Sequence, residues 1–333
     1  MKKGICLALT LFLIWTGFEP VKTLFSVERI AQALPRNMAP GTAEIPGNEA
    51  VHDNEEIRDA VLYYRFGDTA YLGTAKTEID LRREETIATT IVERLIEGPK
   101  IGYDRLNGLF PRGTRLISAV SDGTTVFVTL NHAFLDSPDG APQDWEDSEG
   151  WQREAALRRT MALQSIVLSL TENADVQRVQ LYIAEMDDEI GQRLQMAWFD
   201  PDISDPQVYL GACGRDERIC LSAHNAMKAI LTAWQQNDWK TLALFLNRGA
   251  NSIHEEEALS EKMEALGVEL LSFTVSEGVV SLDGSKATIV LDGTIRSAAG
   301  EVLSLNRESC LLIREADNWT IEPATLDRLM VRD

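Results

Sequence analysis

Four histidines, four cysteines and a surplus of acidic side chains are the groups in this sequence that could do chemistry. His52 falls in a breaker-rich stretch, His132 follows a strand end beside Asn131, and His224 lies near the start of a helix. His254 opens the run Glu255, Glu256, Glu257, whose oxygens suit a hard cation. Three acids at a helix start are also what the helix dipole favours. Asp136, Asp139, Asp144, Glu146, Asp147 and Glu149 form an acidic stretch without Lys or Arg. It lacks the alternating Asp-x-Asp-x-Asp-Gly order of a calcium loop. Trp145 and Trp151 flank the end of this stretch and read either as anchors for a partner surface or as core packing.

Cys213 and Cys220 enclose the polar loop 214–219 and could pair in an oxidising compartment. Closing so short a loop would contribute near the low end of about 2–4 kcal/mol. Two free thiols are the other reading. Zinc would need more ligands than His224, and no further Cys/His pair follows at ligand spacing. Cys6 belongs to the N-terminal apolar run, and Cys310 reads as a small buried hydrophobe within 309–313. No Gly-x-Ser-x-Gly elbow, phosphate loop or dinucleotide fingerprint is present. These residues predict a protein that is not an enzyme, with no catalytic residue, metal or cofactor.

The chain has 333 residues, enough for two folded domains, with 44% hydrophobic and 25% charged residues as in ordinary globular protein. Its formal net charge of −20 excludes the basic stripe that a nucleic-acid binder uses against phosphates. The same field repels anionic lipid heads, so membrane contact requires a dedicated segment. Lys2 and Lys3 precede the uncharged, apolar run 4–18, which reads as a signal peptide or an N-terminal membrane anchor over 1–18. The run is short for a span of about 20 residues, but its positive flank would leave the rest of the chain outside. The expected location is therefore extracytoplasmic, secreted or held at the cytoplasmic membrane.

The elements that would position any site follow in order. Residues 19–56 contain Pro20, Pro35, Pro40, Gly41, Pro46 and Gly47 and read as a flexible linker. Strands are predicted over 61–66 and briefly at Tyr71 and Leu72, then a helix over 84–97 stopped by Gly98 and Pro99. Strands over 115–120 and 125–131 flank the Asp122–Gly123 turn. A long helix over 151–171 carries Leu157, Met161, Gln164 and Leu168 in one stripe, widened by Leu163, Ile166, Val167 and Leu170. A strand over 176–184 closes this unit.

After a connector over 187–219, a helix over 222–236 carries Ala226, Met227, Ile230 and Trp234 on one side. Asp238 caps a short helix reaching 246, and Ser252 with Glu255 forms a capping box for a third over 253–266. Strands follow over 269–277, 279–282, 287–296, 302–314 and 319–322. Helices first and a β-meander after them predict an α+β layout.

Several pieces of the first unit, taken in order, resemble the GerM domain of extracytoplasmic proteins in sporulating bacteria. They are Leu62–Tyr64, then Leu95-Ile96-Glu97-Gly98-Pro99, then Leu109-Phe110-Pro111-Arg112-Gly113-Thr114. Val126–Asn131, the helix end Ser169-Leu170-Thr171 and Asp175–Leu181 complete the series. The chain departs from the family at Thr129 and Leu130, where an Asp-Leu pair is usual, and by its acidic insert. Residues 220–333 more loosely resemble NTF2-like domains, through Trp234, Asn237-Asp238-Trp239 and Asn318-Trp319-Thr320-Ile321.

The resemblances imply an α/β GerM-type domain over 57–186 followed by an α+β NTF2-like domain with a curved antiparallel sheet over 220–333. They imply a non-enzymatic envelope protein acting in assembly or interaction during sporulation or germination. Its partners would be other envelope or sporulation proteins, or further copies of itself. The alternative is a ligand-binding module or sensor, with a pocket lined from the second sheet and Trp234 or Trp239.

Overall fold

The Tyr-rich run opens a hairpin. β1 (Glu56–Phe66) pairs antiparallel with β2 (Leu72–Leu81), and Gly67 takes the left-handed conformation (φ 53°) that the turn between them requires. The structure is a computed structural model that describes residues 56–81, 86–186, 190–205, 207–247 and 255–330. The apolar segment 1–18, the linker 19–56 except Glu56, and His52, Ser252 and His254 lie outside the described residues, as do the side chains of Glu255 and Glu256.

α1 (Ile87–Glu97) starts at Thr86, whose hydroxyl accepts from the Thr89 N–H, and buries Ala88, Ile91, Val92 and Leu95. It stops at Gly98, which has φ 91°. The Tyr64 hydroxyl donates to the carbonyls of Arg94 (3.1 Å) or Gly98 (3.3 Å) at this end, tying the helix terminus to β1. β3 (Leu106–Asn107) pairs with the end of β1.

β4 (Leu116–Asp122) and β5 (Thr125–Asn131) form a hairpin around Gly123. α2 (Glu149–Asn173) then carries the chain across so that β6 (Arg178–Ala184) lies parallel to β5. β7 (Gln192–Arg193) adds an antiparallel pair, giving the order β4-β5-β6-β7. Val126, Val128, Leu130, Val179, Leu181 and Ile183 are buried, while Phe127 and Tyr182 occupy the opposite face with their rings 6.3 Å apart.

The C-terminal part begins with α3 (Ala223–Gln236), capped by Ser222 and ended by Asn237 in a left-handed conformation (φ 56°). Asp238 caps α4 (Trp239–Leu244), and α5 (Glu255–Leu266) follows. β8 (Glu269–Val275), β9 (Val279–Val280), β10 (Lys286–Arg296), β11 (Val302–Glu315) and β12 (Asn318–Ile321) make an antiparallel sheet in the order β12-β11-β10-β8, with β9 also on β10. Register shifts at Leu291/Gly293 and Thr294/Ile295 bend it, so helices precede a curved sheet as the residue pattern predicts.

Besides the two-residue strands β3 and β7, two elements depart from expectation. β2 is ten residues long, where Tyr71 and Leu72 alone signalled a strand. α6 (Pro323–Met330) follows the last strand, with Pro323 at its first position and Leu326, Leu329 and Met330 buried. The described residues form one compact unit in which the β1–β2 hairpin packs both on α2 and on the C-terminal part. Phe66 and Phe245, both fully buried, meet there with ring centroids 4.9 Å apart.

Candidate functional site

An edge strand presents a row of unpaired N–H and C=O groups that must find partners or stay open to another chain. On the free side of β1, α2 supplies those partners. Ser165, Ser169 and Asn173 recur at i, i+4 and i+8 and so share one face of the helix. Ser169 Oγ accepts from the Tyr63 N–H (3.0 Å), and Ser165 Oγ donates to the Tyr63 carbonyl (2.5 Å). Asn173 Oδ1 accepts from the Val61 N–H (2.9 Å) while its Nδ2 donates to the Val61 carbonyl (2.8 Å).

The free side of β2 is closed by residues from elsewhere in the chain. Leu221 N–H donates to the Leu72 carbonyl (2.8 Å). Asn318 Oδ1 accepts from Thr74 N–H (3.0 Å) and its Nδ2 donates to the Thr74 carbonyl (3.1 Å). The Tyr103 hydroxyl accepts from Lys76 N–H and donates to the Lys76 carbonyl, each at 3.0 Å. Gly73 is what lets Asn318 in, because a Cβ there would overlap Asn318 Oδ1 and sit 2.8 Å from Leu106 Cδ2. Arg105 adds an ion pair to Glu315 (2.9 Å) and a bond to the Leu246 carbonyl (3.0 Å) across the same seam.

The C-terminal sheet is treated alike. Gln235 Nε2 donates to the Leu271 carbonyl (2.8 Å) and His224 Nδ1 lies 2.9 Å from the Ser276 carbonyl, both on the outer side of the β8 path. β12 is flanked by Phe245 and Asn247, which exchange backbone bonds with Ile321 (2.8 and 2.9 Å). β4 differs. Its hydrogen-bonded partner is β5, and the alternation that starts at the closing pair Asp122–Thr125 turns the N–H and C=O of Ala119 and Ser121 outward. Among the described residues, those groups meet no acceptor or donor.

A cleft of about 480 Å3 lies where two of the sequence motifs meet, lined by Glu97, Gly98, Pro99 and Phe110 together with Arg65 and Arg158. Arg65, only 4% exposed, donates to Glu154 (2.6 Å), to the Thr69 carbonyl (2.8 Å) and to the Asp68 carbonyl (2.8 Å). Arg158 reaches the same Glu154 oxygen at 2.6 Å. Burial pushes the Glu154 carboxyl up, but the two guanidiniums outweigh it and hold it below the usual range. Both guanidiniums of this cleft wall are thus paired with the same carboxylate.

The residues singled out from sequence fall as follows. Trp145 and Trp198 lie against Arg159, with its guanidinium 5.6 and 4.9 Å from their ring centroids. Arg159 donates to the buried Leu135 carbonyl (2.7 Å), and burial lowers its pKa to about 10 despite nearby Glu146 and Asp136. The acidic stretch is thereby anchored on one buried cation, while its carboxylates face solvent. Trp151 is half-buried in the first turn of α2.

Cys213 and Cys220 are free thiols in the structure. The backbone of Cys213 pairs with Val179 and that of Cys220 with Leu72, so each is held by a different sheet. Burial raises both pKa values, that of Cys220 to about 12 with help from Glu217. His132 lies between Asp136 (3.8 Å) and Glu185 (4.0 Å), and Glu257 is exposed on α5. Among the described residues, no cluster of His, Cys, Asp or Glu could hold a metal ion. Trp234 is 1% exposed and its indole N–H donates to the Val268 carbonyl (3.2 Å), so it packs the core rather than lining an open cone. Trp239 is half-buried at the start of α4.

The hairpin, α1 with its Gly98–Pro99 stop, the β4–β5 hairpin, α2 and β6 are the parts that decide the relationship. Residues 61–187 match the Germane family, described as sporulation and spore germination. The Germane region occupies less than half of the 333 residues. Among curated proteins none matches the chain.

Among solved structures, the chain is similar to the tandem GerMN domains of the sporulation protein GerM from Bacillus subtilis. The identity is 18%, with 44% of this chain and 45% of that one covered, at a TM-score of 0.28. The chain thus spans under half the length of that structure. The first GerMN domain of the same protein is similar at 15% identity, covering 38% of this chain and 84% of that one, with a TM-score of 0.26. An NTF2-like protein of unknown function from Cytophaga hutchinsonii is similar at 14% identity, covering 31% and 88%, with a TM-score of 0.22. Among the described residues, no helix is long and apolar enough to cross a membrane.

Proposed function

We propose that the protein is a non-catalytic assembly factor of the cell envelope, acting in sporulation or spore germination. In this reading it is exported or tethered through residues 1–18 and works by binding other envelope proteins. The Germane match of residues 61–187 supports the process. The observation that carries the interaction role is the open side of β4, set against the side chains that close β1, β2 and β8. A chain that meets three strand edges with polar side chains and leaves a fourth with outward backbone groups has a surface suited to strand addition. The perturbed groups support a structural use of the polar residues. Burial raises the Tyr64 pKa, and its hydroxyl is spent on the end of α1, while Arg159 is spent on two indoles and a carbonyl.

The experiment is to follow a C-terminally tagged protein through growth and sporulation and to crosslink it in place. The proposal expects enrichment at the developing spore envelope with crosslinks to envelope proteins. A uniform distribution without protein crosslinks, or a deletion strain that sporulates and germinates normally, would remove it.

A further inference from the structure

We infer that β4 pairs with β4 of a second copy, antiparallel about a two-fold axis through Val120. This deepens the assembly reading and rests on it for biological meaning, but the geometry is argued from the strand itself. The register shift between Leu116 and Ser118 interrupts β4 at one end, and the turn at Gly123 ends it at the other. Between them, residues 118–122 form a regular segment of which Val120 is the centre. The outward groups belong to Ala119 and Ser121, one on each side of that centre. A two-fold axis at Val120 sets Ala119 against Ser121 of the second copy, and Ser121 against its Ala119. All four outward groups of each strand are then used.

The side chains agree with this register. Val120 is 58% exposed and lies in one row with Phe127 and Gln180 across β5 and β6. Pairing brings Val120 against its copy at the close, non-hydrogen-bonded spacing and extends that row through both molecules. Within 118–122 only Asp122 is charged, and there is no Lys or Pro to block the edge. Asp122 meets Ser118 of the copy, so no like charges face each other.

Five residues a side is a small contact beside the roughly 1,200–2,000 Å2 of a stable interface, and two chains of net charge −20 repel at a distance. The pairing is therefore weak, concentration-dependent and strengthened by salt.

The test uses the full chain, followed by sedimentation across concentration at low and high salt, and by disulfide capture. The expected result is a dimer that grows with both variables and that Val120→Lys weakens on the order of tenfold or more. Val120→Cys should oxidise to a covalent dimer above the background of the unsubstituted chain. Ser118→Cys and Asp122→Cys should each form no covalent dimer alone and crosslink only when mixed. A monomer under all conditions, or capture without this register dependence, overturns the inference. If position 120 then crosslinks to a different protein in cells, the assembly reading stands without self-pairing. If it crosslinks to nothing, both fall.

Discussion

Asn173 satisfies both backbone groups of Val61, accepting from its N–H at 2.9 Å and donating to its carbonyl at 2.8 Å. A side-chain amide presents the same donor and acceptor as a peptide unit, so one residue on a helix does the work of a neighbouring strand. Replacing Asn173 by Ala should destabilise the fold by about 1 kcal/mol, the low end for leaving backbone groups unpaired, because Val61 is only partly buried. Asn173→Asp keeps the acceptor and loses the donor, and should fall between wild type and Ala. Urea unfolding monitored by tryptophan fluorescence reads both, and a neutral Asn173→Ala would show that water serves the edge equally well.

Gly73 and Asn318 should behave as a coupled pair. Gly73→Ala drives a methyl into Asn318 Oδ1 and against Leu106, an overpacking expected to cost about 1–3 kcal/mol. Adding Asn318→Ala removes one of the two clashes, so the double variant should lose less than the sum of the singles. Strict additivity in thermal or urea unfolding would mean the amide does not hold the β2 edge.

Glu154 should give the stability a specific acid dependence. Its folded pKa lies below the ordinary value of 4.5, held there by Arg65 and Arg158 against burial. Stability from this group is present above pH 4.5 and is lost as pH falls through the lower folded value. Glu154→Gln should be less stable at neutral pH and show a shallower loss below pH 4.5. Parallel unfolding curves for the two proteins across that window would contradict it.

The thiols at Cys213 and Cys220 should be slow. Burial raises both, Cys220 to about 12, so little thiolate exists at pH 8. Aromatic disulfide reagents should label them far more slowly in the native protein than in denaturant. Equal rates would place them in solvent.

Much of this fold was legible from residue order because its signals are local. Gly98–Pro99 ends α1, Ser222 and Asp238 cap α3 and α4, and Val126, Val128 and Leu130 alternate through β5. The length of β2 is not legible, because Gly73, Lys76, Glu78 and Asp80 carry little β signal and the groups that hold its edge lie as far away as Asn318. The Ser165, Ser169, Asn173 row is a polar line at helical spacing within a buried helix, a weaker signal than the apolar stripe beside it. Trp145 stands out beside the acidic stretch, but in sequence its partner Arg159 is indistinguishable from any other charged residue on a helix. α6 carried its own signs in Pro323 and the spacing of Leu326, Leu329 and Met330.

The clasp between Thr74 and Asn318 spans 244 positions of sequence. At ribosomal speeds of about 5–20 residues per second, the outer side of β2 waits on the order of ten to fifty seconds for its amide partner to be made. During that interval an adhesive strand is uncovered in a nascent chain. Folding of the hairpin is thus tied to completion of the C-terminal part, and chains stopped before residue 318 should be the ones that chaperones and proteases capture.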